Sequence, residues 1–382
     1  MRCTACSIHR INYFIVLMAF AVLFYSMQAW SEPRPGNEDI RIQGDGSRPK
    51  LIFACDRPTN ELAKLFTPQL ISDLKEINAG IALSTEDFSP ARAQVVRQLN
   101  AAGIPMTAWI VLPQDQGYYV NASNAPQTTE RFAEFDKWTL DNGLRWEAVG
   151  LDIEPNFSEF SDIHGHKLRL AWTILKRAFN SKRVQRANEA YTTLIGKIRS
   201  RGYSVQTYQL EFIVDERKAH STLLERILGV VDVRGDDEIL MLYSSFNHKI
   251  EAAVISQFGP DAQTVAVGST APTGDTAMDK KFPPLNWEEF SRDLIVARHF
   301  SPVVGVYSLE GCVHQGFISR LKTMDWSQTV VIPAAAAIDA ARFARAVQSA
   351  LWIGSHLLYF IVFFLLIIAW FVRIFVKWRR RK

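Results

Sequence analysis

Cysteine is scarce in this chain, four among 382 residues, and the net charge is only +4. The first scarcity excludes a disulfide-stapled scaffold and leaves stability to a hydrophobic core. The second excludes the strong basic field that phosphate backbones select, so no nucleic acid partner is expected. A glycine-rich dinucleotide fingerprint is missing after the first strand-like run, and so is a Gly-x-Ser-x-Gly elbow. Rossmann-type cofactor binding and α/β-hydrolase chemistry lose their support with them. His164 and His166 lack a third ligand nearby, and the Cys3-x-x-Cys6 pair lacks a second pair. No metal and no cofactor is therefore expected.

What is abundant is apolar residue, 48% of the chain, and part of it sits at the ends. Residues 351–372 are almost wholly apolar and long enough to cross a bilayer as a helix. The tail after them carries Lys377, Arg379, Arg380, Arg381 and Lys382, which places it in the cytoplasm by the positive-inside rule. Residues 13–25 form a shorter apolar run behind Arg2, His9 and Arg10, read as a signal peptide or a retained anchor. Either reading puts the middle of the chain on the extracytoplasmic side of a cell membrane, the periplasm of a bacterium, with the lipid bilayer as a partner. The expected parts are a signal or anchor over 1–31, a linker over 32–50, a folded body over 51–326, an alanine-rich stalk over 327–349, a transmembrane helix over 350–373 and a cytoplasmic tail over 374–382. Membrane protein partners stay open. Cys55 and Cys312 fall in the exported part, either as a disulfide or as two buried thiols.

Within the body, short β-rich runs alternate with amphipathic stretches. The runs are 51–55, 80–83, 106–112, 149–153, 204–212, 239–243, 264–268 and 303–309. Eight such units in this length predict a (β/α)8 TIM barrel. Chemistry in that fold sits at the C-terminal strand ends, which here carry Asp56, Trp109, Tyr118, Asp152, Glu154, Glu211, Met241, Tyr243, Tyr307 and Glu310. Acids mixed with aromatics suit a polysaccharide, whose C–H faces stack on rings while hydroxyls bond carboxylates. The long helical stretch after the fourth run adds a basic flank that includes Lys176, Arg177, Lys182, Arg183 and Arg186, suited to anionic polymers or lipid headgroups, or simply solvated.

The most demanding pattern is Gly150-Leu-Asp152-Ile-Glu154-Pro155. Strand side chains alternate, so Gly150, Asp152 and Glu154 share one face and Leu151 and Ile153 the other. Two close acids facing a barrel interior would raise one pKa toward what a general acid needs. A strand-end pair held by an arginine or a cap is the plainer alternative.

This stretch resembles the second half of the Asp-x-x-Asp-x-Asp-x-Glu motif of family-18 glycoside hydrolases, the chitinase-like barrels. Met241-Leu-Tyr243 is similar to that family's Met-x-Tyr-Asp, and Tyr307-Ser-Leu-Glu310 stands where the family has a Trp followed by an acid. The chain departs from the motif at Glu147, Gly150, Ser244 and Tyr307. The resemblance implies Glu154 as the acid that protonates the glycosidic oxygen, with Asp152 and Tyr243 orienting a substrate acetamide whose carbonyl is the nucleophile. Trp109, Asp56, Tyr118, Glu211, Met241, Tyr307 and Glu310 would line the substrate. A two-carboxylate mechanism pairing Glu154 with Asp56, Glu211 or Glu310 stays open. So does a catalytically inactive barrel that binds glycans or organises a membrane complex.

Overall fold

The computed structural model describes residues 38–156, 167–247, 249–272 and 280–380. Among these residues ten strands are formed: β1 Ile40–Gln43, β2 Lys50–Cys55, β3 Gly80–Ser84, β4 Met106–Ile110, β5 Ala148–Asp152, β6 Ser204–Leu210, β7 Asp237–Met241, β8 Thr264–Gly268, β9 Val303–Tyr307 and β10 Thr329–Ile332. Strands β2 to β9 close into a barrel in chain order, and β2 is paired in parallel with both β3 and β9. The eight β-rich runs of the sequence are these eight strands.

Alternation divides each strand between two cores. Outward residues such as Leu51, Phe53, Val149, Leu151, Val205 and Val304 join one large cluster beneath the helices. Inside, Ile239, Met241 and Ala266 form a small cluster with Tyr208, Leu210 and Tyr243 packed against it. Two helical stretches of the sequence are broken where local chemistry stops them. Pro68 disfavours helical geometry at Thr67, which instead caps a new helix, Pro68–Glu76, by accepting from the Leu70 N–H at 3.2 Å. Asn180 does the same between Lys167–Ala178 and Ser181–Ser200.

The flanks differ from expectation. Residues 40–43 of the expected linker are β1, paired antiparallel with β10, so the two ends of the body close on each other. The alanine-rich stretch is not a free stalk. It forms the helix Ala334–Ser355, which buries Ala336, Ala337, Ala340, Ala341 and Ala344 at three- and four-residue spacing against the barrel helices Phe212–Lys218 and Ala253–Phe258. Gln348 Nε2 donates to Asp215 Oδ1 at 2.9 Å, and the Ser355 and Ser221 hydroxyls lie 2.7 Å apart.

The apolar run over 351–372 is divided rather than continuous. Leu351 is buried in the docked helix, and a second helix, Leu357–Arg379, begins after His356. Among the described residues no helix is long and apolar enough to cross a membrane. Arg373, Lys377 and Arg379 fall in its C-terminal turns. The run over 13–25, with His164 and His166, lies outside the described residues. Cys55 and Cys312 are both free and buried.

If the docked helix is part of the body, Ala344→Glu, at a site 1% exposed, should destabilise the chain by about 2–4 kcal/mol. Urea melts would read this. Trypsin should then cut at Arg342 and Arg345 in the variant while sparing the parent.

Candidate active site at the barrel mouth

The strand carrying the acid pair is longer than its regular ladder. Ile153 pairs with Val120 of the preceding loop, the Val120 N–H donates to Asp152 O at 2.8 Å, and the Glu154 N–H donates to Val120 O at 3.1 Å. This clip keeps the extended geometry to Glu154, so both acids face inward. Burial pushes the Glu154 pKa up to about 7. Asp152, 5% exposed, is raised well above the usual carboxylate range by burial, then by the charges of Glu154 and Asp56. Its Oδ1 has no hydrogen-bond partner among the described residues; the Trp109 indole pulls its pKa back slightly without reaching hydrogen-bond geometry.

The clip depends on a buried amide network. Gly117, with φ of 100°, turns the loop back. The Asn124 side chain donates to Tyr119 O at 2.8 Å and Gln116 O at 3.1 Å, and Asn121 donates to Tyr119 O at 2.9 Å. The Tyr191 hydroxyl donates at 2.9 Å to Asn121 O or Asn124 Oδ1 from the helix behind. The loop so held presents Tyr118, whose hydroxyl donates to Asp56 Oδ1 at 2.6 Å, and Tyr119, whose ring meets it edge-on at 4.9 Å. Burial raises the Tyr119 pKa, with Glu154 and then Asp152 the strongest charges acting on it.

Opposite stands an aromatic wall. Tyr243 and Tyr307 stack at 6.0 Å and 19°; burial raises both phenols, helped at Tyr243 by the charges of Asp152 and Glu154 and at Tyr307 first by those of Asp56 and Glu310, then by the pair. Met241 packs beneath Tyr243 in the inner cluster. Glu310 lies 3.8 Å from Arg57 at the end of β9, its pKa raised chiefly by burial. Ser84 Oγ, Trp109 Nε1, Asp152 Oδ1 and Glu310 Oε2 are buried without partners among the described residues. All four belong to the C-terminal ends of barrel strands or, for Glu310, to the first turn of the helix Leu309–His314 that follows, where a ligand's polar groups could satisfy them.

Of the residues singled out in the sequence, Asp56, Trp109, Tyr118, Asp152, Glu154, Met241, Tyr243, Tyr307 and Glu310 are gathered around this mouth. Glu211 directly follows β6 as the N-cap of the helix Phe212–Lys218; its raised pKa comes chiefly from burial, and the charge acting on it is that of Asp215. Tyr119 and Glu86, which the sequence also puts just after barrel strands, join the residues at the mouth, and Tyr208 is an addition that sequence reasoning missed. So are two arginines behind the rim. Arg92, fully buried, donates to Thr59 Oγ1 and Arg57 O at 3.0 Å and pairs with Asp87 at 3.3 Å. Arg131 donates to Thr85 O at 2.6 Å, Glu86 O at 2.7 Å and Val111 O at 3.1 Å while its guanidinium lies 4.0 Å over the Phe88 ring. The available signal was a cation following acids of the preceding loop, in Glu86-Asp87 before Arg92.

The departures from the chitinase-like motif have physical explanations. Glu147 begins β5 at the far end of the barrel, exposed and 3.6 Å from Lys50. At Gly150 an added Cβ would meet the Tyr208 ring at 2.9 Å, so that ring occupies the space an acidic side chain would need. Ser244 donates to the buried Asp293, which Arg292 also contacts at 3.0 Å, so the acid is supplied from behind.

No family model matches this sequence, and no curated protein matches it. Among solved structures it is similar to the PgaB (BpsB) glycoside hydrolase domain from Bordetella bronchiseptica, with 11% identity, coverage of 72% of this chain and 98% of that one, and a TM-score of 0.44. It is similar to a GH18 chitinase from Pseudoalteromonas aurantia at 10% identity, 72% and 99% coverage and a TM-score of 0.42. A D-allulose 3-epimerase from Methylomonas sp. gives 10% identity, 80% and 100% coverage and 0.38. At these values the comparisons carry no argument about activity.

Two predictions follow from the mouth's electrostatics and packing. Glu154 keeps its proton in the folded chain where the unfolded chain has lost it, so its contribution to stability is complete below about pH 4 and is lost as pH rises through about 7. Glu154→Gln should therefore match the parent at about pH 4 and exceed it by on the order of 2 kcal/mol at about pH 8, read by urea melts. Gly150→Asp should cost about 2 kcal/mol or more through the clash with Tyr208, and adding Tyr208→Ser should recover part of that loss.

Proposed function

We propose that this chain is a glycoside hydrolase-like barrel acting on an extracytoplasmic polysaccharide that contains N-acetylhexosamine units, peptidoglycan or an exported exopolysaccharide. One observation carries the reading: Glu154 is an inward carboxyl whose pKa burial lifts to about 7, beside a second inward acid. That is the protonation state a general acid needs at neutral pH.

In the step so supported, Glu154 gives its proton to the glycosidic oxygen as the bond from that oxygen to the anomeric carbon breaks. The substrate's own acetamide oxygen forms the new bond to that carbon. Glu154, now a carboxylate, takes a proton from the water that reopens the ring. The unpartnered Asp152 Oδ1 is available to the acetamide N–H, and the Tyr243 hydroxyl to its oxygen. Trp109, Tyr118, Tyr119 and Tyr307 supply faces on which sugar rings stack.

Attachment to a cell membrane, with the barrel outside, is part of the same proposal. The Leu357–Arg379 helix has 23 residues, about 34 Å at 1.5 Å each. It exposes Phe364, Leu365, Leu366, Ile368 and Phe371 by more than half. Such surface is costly in water and favourable in lipid, and arginine and lysine near one end can extend to the headgroups.

A second reading has its own observation. With Tyr208 over Gly150 and Ser244 tied to Asp293, the mouth departs from the motif at two places, which suits a barrel that binds glycans without cleaving them.

Release of reducing ends from peptidoglycan and from N-acetylglucosamine polymers by the full-length chain in detergent separates the two. Activity is expected, falling as pH rises through about 7, and Glu154→Gln should lower it by on the order of 10² to 10⁴. Glycan binding by the folded parent with no release from any of these polymers would sink the hydrolase and leave the binding barrel.

A further inference from the structure

Away from the mouth, the helix Lys167–Ala178 and the residue after it carry an unusual surface. Trp172, Leu175 and Phe179 follow one another at three and four residues, hence on one face, and are 58%, 45% and 69% exposed. On that helix and at the start of the next, Ser181–Ser200, are cations of two kinds. Arg177 and Arg183 turn to the body, Arg177 donating to Ile227 O at 3.2 Å and Arg183 to the Ser123 hydroxyl. Lys176 turns outward with its Nζ 5.3 Å from the Trp172 ring centroid, and Lys182 and Arg186 are exposed with no ion pair among the described residues. A row of large apolar side chains edged by free cations is the pattern of a segment lying in a membrane interface, where tryptophan is favoured and cations meet lipid phosphates.

Its position selects the occupant. The Lys167–Ala178 helix packs on the Leu223–Leu228 helix, and the docked C-terminal helix ends on that same element. Gly354 lies so close to Leu223 that an added Cβ would meet it at 2.5 Å, and Ser355 reaches the Ser221 hydroxyl. The stripe is thus separated by one short helix from the point where the exposed apolar helix Leu357–Arg379 leaves the body.

We infer that the Lys167–Ala178 helix is a second membrane contact: Trp172, Leu175 and Phe179 enter the headgroup layer of an anionic bilayer, and Lys176, Lys182 and Arg186 bind its phosphates. The choice of lipid over protein rests on the membrane attachment proposed above.

The test is a polarity-sensitive fluorophore at Leu175→Cys in the full-length chain, with Cys3→Ser and Cys6→Ser, since Cys55 and Cys312 are buried. Ser72→Cys, exposed on the Pro68–Glu76 helix, is the control. The chain is reconstituted into vesicles of phosphatidylcholine alone and of three parts phosphatidylcholine to one part phosphatidylglycerol. A blue shift at position 175 with quenching by nitroxide-bearing lipid is expected, stronger with phosphatidylglycerol, and none at position 72. Lys182→Glu with Arg186→Glu should abolish the difference between the two lipids. An aqueous signal at position 175 while the chain resists an alkaline wash overturns the inference and leaves the anchor standing. Quenching before a wash that strips the chain keeps the interface and sinks the C-terminal anchor. A shielded fluorophore that lipid nitroxides do not quench assigns the stripe to a protein partner and overturns the lipid reading.

Discussion

Two carboxyl groups on one face of one strand, inside a ring that admits little water, cannot both carry charge without large cost. Asp152 and Glu154 impose that constraint, and the surrounding structure is arranged to meet it. The Val120 clip fixes the backbone on either side of Ile153, so neither acid can swing away to solvent. Phenols rather than cations are the nearest company: Tyr119, Tyr243 and Tyr307 all feel the two acids, and none neutralises them. The mouth keeps its arginines behind the rim or at its edge. Arg92 and Arg131 spend their hydrogen bonds on backbone carbonyls and outer acids, which stiffens the loops without discharging the pair.

The same constraint explains why small residues recur on the inner face. Gly150 has no side chain because the Tyr208 ring crosses it, and Tyr208 in turn caps the inner cluster of Ile239, Met241 and Ala266. Filling the interior below the acids leaves them no water from beneath, and desolvation is the first cause of every raised carboxyl at the mouth, Glu86 and Glu310 included. Packing and acidity are one design at this end of the barrel.

The fold was legible because short β-rich runs alternate with amphipathic stretches at all eight strands, and because Asp152 and Glu154 carry their facing in their spacing. Helix breaks were less legible: Thr67-Pro68 and Asn180 are short local signals inside longer amphipathic stretches. The flanks misled for a different reason. Alanine repeats read as a stalk when nothing shows what they touch, yet Ala336, Ala340 and Ala344 are small because another helix lies against them. Glu211 was grouped with the site from its place after a strand, and it opens the next helix beside Asp215. Tyr208 could not have been chosen, since its role depends on a register against Asp152 that no local pattern encodes.

The Ala334–Ser355 helix has a consequence for how the molecule stands. Docked along its length, it is a rod of 22 residues, about 33 Å. The β1–β10 ribbon sits at its start and the departure point at Ser355 at its far end. The two places where the chain enters and leaves the body are therefore held apart by a rigid spacer instead of a slack tether. A surface that grips the chain beyond Ser355 would therefore pull on a segment whose near end is fixed to the body.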